Sequence, residues 1–279
     1  MTDADLTGRR AIVTGASGTF GQAITAALRS RGARVVGLDL VPSEDPDAPV
    51  LACDVTDQSS VESACAAAVE LLGGLDLLVN NAGIGGPAPA GSAPDEVVSR
   101  QLEINLLGTW RVTAALLPAL VESRGRVVMV ASRMAVMPLP LAAAYGVSKR
   151  AMVAYADALR LEYAPYVTVT TVYPSMVRSP IHDSTAAAGL SLEGVSHYEP
   201  LEGVVDTIVT ACAARRPRRD MPTSPRGRVE FFLGRHLPAL TDRIVLKTLA
   251  GRVAAGAFDH APIADGLVQR YRALTGSGR

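Results

Sequence analysis

Short apolar runs rich in β-branched residues alternate with longer amphipathic segments over the first two-thirds of the chain. The short runs predict six strands, at residues 10–14, 34–38, 50–53, 75–79, 126–131 and 167–172. Helical spacing of apolar positions predicts helices at 20–31, 59–72, 95–122 and 144–163, with Ser92 placed to cap the third. Nearly continuous apolar strands separated by helices are typical of a parallel sheet that is buried on both faces.

This alternation predicts an α/β protein with a single doubly wound parallel sheet of the Rossmann-like type, with helices on both faces. The pattern changes after residue 173: we expect a loop-rich stretch over 174–200, a helix over 201–214, and at most a weak seventh strand within 215–228. Two or three short helical segments follow, within 229–274. We predict one domain over 1–279, with a core of about 6–225 and a C-terminal helical extension of about 226–279.

Composition narrows the function classes. The 27 basic and 27 acidic side chains give no net charge, so no global field attracts nucleic acid or an anionic membrane. Three widely spaced cysteines suit free thiols in a reducing compartment. The acidic start lacks the features of a signal peptide, and no uncharged apolar run is long enough to span a membrane, so we expect a cytoplasmic protein. The four histidines lack paired ligand spacing, and we predict no metal site.

Three glycines mark a candidate nucleotide site where the first strand passes into the first helix. Gly15, Gly18 and Gly21 allow a tight turn and a close backbone approach to a pyrophosphate, which the N-terminus of the helix would bind. Asp39 lies 24 residues after Gly15, just past the second strand, where a carboxylate accepts hydrogen bonds from ribose hydroxyls. A carboxylate repels a 2′-phosphate, and the neighbouring loop offers no cation, so we favour NAD over NADP as the cofactor.

Further motifs make the chain resemble the short-chain dehydrogenase/reductase family from about residue 8 to residue 179. Asn80-Asn81-Ala82-Gly83 follows the fourth strand, and Tyr145-x-x-x-Lys149 begins 13 residues after Ser132. Asn105 falls at the family's structural asparagine, Asp54-Val55 at its adenine-side aspartate, and 174–179 resembles its PGxVxT loop, with Ser175 and Ser179 replacing glycine and threonine. The glycine spacing itself is that of the longer, epimerase-type branch.

The resemblance implies a site of known composition. The implied catalytic residues are Asn105, Ser132, Tyr145 and Lys149. The implied cofactor-binding residues are Gly15, Ser17, Gly18, Thr19, Phe20, Gly21, Asp39, Asp54, Val55, Asn81, Ala82, Gly83, Tyr145, Lys149, Pro174, Val177 and Ser179. It also implies a homodimer or homotetramer built on helices 95–122 and 144–163.

The catalytic set predicts hydride transfer coupled to proton transfer at an oxygen. Tyr145 would be the acid–base residue; Lys149, four residues on and on the same helical face, would lower its pKa and reach the nicotinamide ribose. Ser132 would polarise the substrate oxygen, and Asn105 would hold a water that links the lysine to solvent.

Mainly apolar walls at 84–89, 133–141 and 175–200 predict a bulky, mostly apolar secondary alcohol or ketone as substrate. A loop at 180–200 containing Gly189 and Gly194 would act as a mobile lid, and we expect Arg133 to point to solvent. Three alternatives remain open: an NADPH-dependent ketoreductase, an epimerase or dehydratase, and a non-catalytic NAD(H)-sensing protein.

Overall fold

A computed structural model describes residues 5–190, 197–216 and 218–276. Seven parallel strands form one sheet in the order β3-β2-β1-β4-β5-β6-β7. The strands are β1 Arg10–Thr14, β2 Arg34–Asp39, β3 Val50–Ala52, β4 Leu77–Asn80, β5 Arg126–Val130, β6 Thr168–Tyr173 and β7 Asp220–Pro222. The strand order reverses between β1 and β4, and this switch point opens a crevice at the carboxyl ends of the strands.

Ten α-helices surround the sheet in the described residues. They are α1 Thr19–Arg29, α2 Gln58–Leu72, α3 Glu96–Leu102, α4 Thr109–Ser123, α5 Ala143–Tyr163, α6 Asp183–Ala187, α7 Leu201–Ala213, α8 Pro225–His236, α9 Pro238–Ala254 and α10 Asp265–Gly276. One apolar core lies between the sheet and α2, α4 and α5, and a second lies between the sheet and α1 and α7. The predicted fold class, a doubly wound parallel sheet with a helical extension, is confirmed.

Most differences from the predicted elements lie at their ends. The seventh strand is real but short, and it pairs with β6 through Thr171, Val172 and Tyr173. The cap of the third predicted helix is Asp95 rather than Ser92, because the Asp95 carboxylate accepts a hydrogen bond from the Val98 N–H at 2.9 Å. The predicted Ser92 cap is therefore wrong: the helix begins at Glu96, and the residue that caps it lies three residues after Ser92.

The predicted helix at 95–122 is interrupted. Residues Glu103–Gly108 form a π-helical turn between α3 and α4, with Asn105 fully buried inside it. Such turns occur mostly as single insertions and often at functional sites. The combined span Glu96–Ser123 is, among the described residues, the one helix long and apolar enough to cross a membrane. Core helices pass the same criterion, and Val112, Leu116 and Leu120 of this span lie in the main core, so it is weak evidence for a membrane segment.

The C-terminal helices form a third, smaller apolar cluster on the core. Its members include Leu249, Val253 and Phe258, packed with Leu141 and Leu190 of the preceding chain. Helix α8 approaches the segment after β5 closely, because a side chain at Gly234 would lie 2.4 Å from the carbonyl oxygen of Val136. The extension therefore packs against the wall of the crevice.

Candidate active site

A cleft of about 1040 Å³ opens at the carboxyl ends of β1, β2, β4, β5 and β6. Most of the residues that the sequence predicted for the site line it together. They are Gly15, Gly18, Thr19, Phe20, Asp39, Asp54, Val55, Asn81, Ala82, Gly83, Ser132, Tyr145, Lys149, Pro174, Val177 and Ser179. Three predicted residues, Ser17, Gly21 and Asn105, are not in the lining.

The glycine loop packs so closely at Gly15 and Gly21 that neither position has room for a side chain. Gly15 has a φ of +65°, and a Cβ there would lie 2.9 Å from the Cα of Ala82. A Cβ at Gly21 would lie 2.0 Å from the carbonyl oxygen of Gly15, whereas a Cβ at Gly18 would meet nothing closer than 3.5 Å. Gly18 is the N-cap of α1 and has no side-chain cap, and Gly18, Thr19 and Phe20 line the cleft, so the N-terminus of α1 lies at the cleft. This loop fits a pyrophosphate despite the altered glycine spacing.

Two carboxylates lie at the end of the cleft next to β2 and β3. Asp39 accepts hydrogen bonds from the Ser17 N–H at 3.0 Å and the Val41 N–H at 3.1 Å. Asp54 accepts from the Thr56 N–H at 2.9 Å and from the Thr56 hydroxyl at 2.7 Å. These bonds fix both carboxylates at the positions expected for binding the adenosine part of a dinucleotide.

The segment after β4 joins the glycine loop to the predicted catalytic residues. Asn81 donates its side-chain amide to the Thr14 carbonyl at 3.0 Å and to the Gly15 carbonyl at 3.2 Å. Gly83 lies between two further predicted residues: a Cβ there would come within 3.1 Å of Asn105 Oδ1 and 3.2 Å of Lys149 Nζ. A glycine at this position leaves space for the lysine side chain.

Ser132 and Tyr145 meet in the cleft although 13 residues separate them. Ser132 is the N-cap of the short helical turn Arg133–Ala135, and its hydroxyl accepts a hydrogen bond from the Met134 N–H at 3.2 Å. Both residues line the same cleft, and their side chains are close enough for the Ser132 hydroxyl to influence the pKa of Tyr145. Burial raises the pKa of Tyr145, and the polar Ser132 side chain opposes that rise. The chain alone therefore favours the neutral phenol, which is an acid ready to donate a proton.

Lys149 is buried one helical turn after Tyr145. Its Nζ donates a hydrogen bond to the Val130 carbonyl at 3.0 Å. Burial lowers the pKa of Lys149 to about 8, so most of the ammonium stays protonated at neutral pH. Nζ lies 5.9 Å from the centre of the Tyr145 ring. A cation at that distance and in a poorly screened site attracts a developing phenolate.

Asn105 holds three segments of the site together from the second layer. Its amide accepts from the Ile84 N–H at 2.8 Å and donates to the Ile84 carbonyl at 2.9 Å. It also donates to the Ser148 hydroxyl at 3.0 Å, which in turn donates to the Tyr145 carbonyl at 2.9 Å. Asn105 therefore fixes the turn of α5 that carries Tyr145 and Ser148 against the segment after β4. Its predicted role in holding a water stays a prediction.

The loop after β6 forms the opposite wall and is held by a residue that the sequence reasoning missed. Glu199 is buried and accepts a hydrogen bond from the Ser175 N–H at 2.5 Å and from the Thr223 hydroxyl at 2.6 Å. Beyond Ser179 the chain forms the helical turn Pro180–His182 and α6. Gly189 packs on the His260 backbone at a φ of +73°. Gly194 lies outside the described residues, and the mobility of the lid stays a prediction.

Arg133 does not point to solvent, which corrects the expectation from sequence. Its side chain is 8% exposed and pairs with Glu230 of α8, whose side chain is 11% exposed, at 3.4 Å. Glu230 also contacts Arg226 at 3.0 Å and His197 Nδ1 at 3.5 Å. Burial lowers the pKa of Arg133, and the charge of Glu230 opposes that shift. No local pattern could indicate this pair, because Glu230 lies 97 residues after Arg133 in the chain.

Polar groups at the mouth were also missed. Glu96, Ser99 and Arg100 of α3 line the cleft together with Asp183 and Ser184 of α6.

The predicted walls at 84–89, 133–141 and 175–200 contribute Ile84, Met134, Leu139, Met176 and Ile181, among others, to the lining of the cleft. In the described ranges no group of three His, Cys, Asp or Glu side chains is arranged to hold a metal ion.

The fold and site together define an oxidoreductase that binds a nicotinamide dinucleotide. The family model for short chain dehydrogenases matches residues 9–188. The chain belongs to the short-chain dehydrogenase/reductase family, as the sequence motifs indicated.

Individual relatives agree with this assignment. Oxidoreductase UcpA from Escherichia coli strain K12 is 32% identical over 224 residues, which are 76% of this chain and 82% of the relative. A short chain dehydrogenase from Burkholderia cenocepacia, solved in complex with NADP, superposes with a TM-score of 0.73 at 26% identity and covers 86% of this chain and 98% of its own. The 3-ketoacyl-(acyl-carrier-protein) reductase from Brucella melitensis, solved with NADH, has a TM-score of 0.69 at 25% identity and covers 78% of this chain and 97% of its own.

Proposed function

We propose that the protein transfers a hydride between NAD(H) and a bulky, mostly apolar secondary alcohol or ketone, with Tyr145 as the acid–base residue. The observation that carries the proposal is that Ser132 and Tyr145 line the same cleft at the carboxyl end of β5, with the buried Lys149 ammonium one helical turn after Tyr145. Proton donor, oxygen-binding hydroxyl and cation thus share one side of a cleft whose other end fits a dinucleotide.

The bound cofactor would supply the hydride or accept it, and the chain supplies the proton. In the direction of reduction, Ser132 would hold the carbonyl oxygen and Tyr145 would donate its phenolic proton to that oxygen. The resulting phenolate would lie beside the Lys149 ammonium in a site where water screens little. In the direction of oxidation the phenolate form of Tyr145 takes the proton of the hydroxyl. Burial opposes that form, so Lys149 has to stabilise it together with the positive charge of the oxidised cofactor.

Preference for NAD rests on the surroundings of Asp39. The residues beside it in the lining, Leu38 and Leu40, are apolar and carry no charge that could neutralise a 2′-phosphate. A carboxylate held by two backbone N–H groups is available to ribose hydroxyls and repels a phosphate. An NADPH-dependent ketoreductase is the second candidate, and the solved relatives include one complex with each cofactor.

The substrate proposal rests on the walls of the cleft. Met134, Leu139, Met176 and Ile181 surround the space in front of Ser132 and Tyr145, which suits an apolar group on the carbonyl carbon. If the protein is an epimerase or dehydratase, no net oxidation or reduction of the cofactor is expected. If it is a non-catalytic NAD(H) sensor, it should bind the cofactor without turning over a substrate.

Exposed apolar side chains support the proposal of a homodimer or homotetramer through the long helices. Trp110 of α4 is 51% exposed and Val147 of α5 is 57% exposed. Leu107, in the π-helical turn, is 39% exposed. A second copy of the chain would cover these side chains.

The first experiment measures cofactor binding and turnover. We expect purified protein to bind NADH more tightly than NADPH in calorimetric titrations, and to oxidise NADH in the presence of apolar ketones. Tyr145→Phe should lower kcat by roughly a thousandfold, within the range usual for loss of an acid–base group, and leave the Kd for NADH unchanged.

Tyr166→Phe is the matched control, because Tyr166 is half exposed and outside the cleft. Unchanged turnover in Tyr145→Phe would refute the mechanism. If NADH binds but no alcohol or ketone gives net turnover of the cofactor, the reductase is refuted and the sensor or the epimerase/dehydratase is favoured. Preference for NADPH would favour the NADPH-dependent ketoreductase.

A further inference from the structure

A second, smaller cavity lies behind the wall of the active-site cleft, between the 137–141 segment and helix α9. Its volume is about 150 Å³. Most of the lining residues are apolar, among them Met137, Leu141, Leu190, Val245, Leu249 and Phe258; the charged residues Arg133, Arg226, Glu230 and Arg252 also line the cavity. Leu141, Leu190, Leu249 and Phe258 belong to the apolar cluster of the C-terminal extension.

The two spaces share part of one wall. Arg133 and Leu139 line both the cleft and the second cavity. Arg133 directly follows Ser132, so the second cavity begins one residue along the chain from the hydroxyl that would hold the substrate oxygen. Arg133, which pairs with Glu230, supplies the charged part of this shared wall, and Leu139 supplies its apolar part.

Size and lining indicate what the cavity can hold. An apolar cavity of roughly 150 Å³ in another protein stays dry and binds benzene. A comparable volume here suits an apolar group of about six carbon atoms, either a ring or the end of an alkyl chain. The cavity is partly formed by α9, beyond residue 188, where the match to the family model ends.

We propose that this second cavity is a subsite for the apolar arm of the substrate. The reacting carbon would lie at Ser132 and Tyr145, and the arm would pass Leu139 to end between the 137–141 segment and α9. The inference rests on the proposed function and names the substrate class more closely: ketones or alcohols with one short substituent and one apolar substituent long enough to cross the shared wall. The C-terminal extension would thus select substrates by the length of that substituent.

The test compares two tryptophan variants on one helix. Thr248 lines the mouth of the cavity and is itself solvent-exposed, so Thr248→Trp places an indole at the cavity without a change in the core. Leu246→Trp is the matched control, because Leu246 is 53% exposed and does not line the cavity. Thermal unfolding of both variants checks that each is folded.

The kinetic measurement uses 2-alkanones of increasing chain length with NADH. In the unaltered protein and in Leu246→Trp, kcat/KM should rise with chain length, by about tenfold to a hundredfold once the cavity is filled. In Thr248→Trp this gain should disappear for long ketones, whereas kcat/KM for 2-butanone should stay within about twofold. Equal chain-length dependence in both variants would overturn the inference.

A binding measurement separates this inference from the proposed function. Saturation-transfer NMR should detect benzene on the unaltered protein and on Leu246→Trp, and should show at least a tenfold weaker signal on Thr248→Trp. Absence of turnover with every ketone would refute the proposed function whatever benzene does. Equal benzene binding by both variants, or none by the unaltered protein, would refute the cavity as an apolar subsite even if ketones are reduced.

Discussion

The two ends of the cleft are built in different ways. The cofactor end consists largely of backbone. The main chain packs closely at Gly15 and Gly21, and the N-terminus of α1 lies at the cleft. The substrate end consists of side chains, and two of the buried groups beneath it, Arg133 and Glu230, come from parts of the chain that lie 97 residues apart.

The difference shows where tolerance to substitution should lie. At the cofactor end a single added carbon can block the loop, because backbone atoms have no alternative rotamers. At the substrate end a change of charge removes a partner from a buried group, and the cost follows from electrostatics rather than from steric contact. The following substitutions test this contrast, from the largest expected effect to the smallest.

Glu230→Gln should destabilise the fold by about 3–4 kcal/mol, because the buried Arg133 guanidinium would face a neutral amide instead of a carboxylate. The Kd for NADH should stay within about twofold, since Glu230 does not line the main cleft. Denaturant unfolding and calorimetric titration measure the two quantities. Arg226→Gln is the control, with an expected loss below about 1 kcal/mol because the Arg226 side chain is 65% exposed. Equal losses in both variants would contradict the importance of the buried pair.

Gly21→Ala should weaken NADH binding by roughly a hundredfold, about 2–3 kcal/mol, because the new Cβ would overlap the carbonyl oxygen of Gly15 and displace the loop. Gly18→Ala adds the same methyl group three residues earlier, where the nearest atom is 3.5 Å away, and should change affinity little. Calorimetric titration with NADH compares them. Similar affinity in the two variants would show that close loop packing is not what shapes the cofactor end.

Lys149→Met should abolish most turnover. It should also stabilise the fold by about 2 kcal/mol at neutral pH, because the unfavourable burial of the ammonium outweighs the one hydrogen bond that Lys149 donates. Burial lowers the pKa of Lys149 from 10.5 to about 8, so the penalty is complete below pH 8, where the group is protonated in both states. It falls as pH rises from about 8 to 10.5, where the unfolded chain binds the extra proton.

The stability difference between Lys149→Met and the unaltered protein should therefore shrink over that pH range. Urea unfolding at several pH values measures it. A difference that grows with pH would mean that Lys149 is stabilised as a cation in the folded protein.

Asp39→Ala should have the smallest effect, about a tenfold shift in the ratio of the two cofactor affinities toward NADPH. The substitution removes a carboxylate that repels a 2′-phosphate but adds no cation to bind one. Parallel titrations with NADH and NADPH give the ratio. An unchanged ratio would mean that other parts of the adenosine site set the preference.

The sequence was most informative where function depends on neighbours along the chain. The glycine loop, the Tyr145–Lys149 pair and the alternation of strands and helices are local patterns, and local sterics or helical periodicity fix their geometry. Ser132 and Tyr145 were also predicted to act together, but that expectation came from the family resemblance. Only the arrangement of β5 and α5 shows how the two side chains meet.

Asn105 illustrates the intermediate case. Its position in the long helix could be read from the sequence, but the π-helical turn around it could not. That turn places the Asn105 amide against the Ile84 backbone and Ser148, and both partners depend on how β4 and α5 pack.

By itself, the sequence determined the α/β class, the order of the strands and helices along the chain and the cofactor loop, because periodicity and backbone sterics act over a few residues. Tertiary structure alone decided that Arg133 is buried against Glu230, that Glu199 holds the loop after β6, and that α9 encloses a second cavity beside the cleft. Arg133 follows Ser132 directly, and nothing in the neighbouring sequence indicates that helix α8 will bury its side chain. Burial and charge pairing depend on that packing, and no local pattern records which segments will meet.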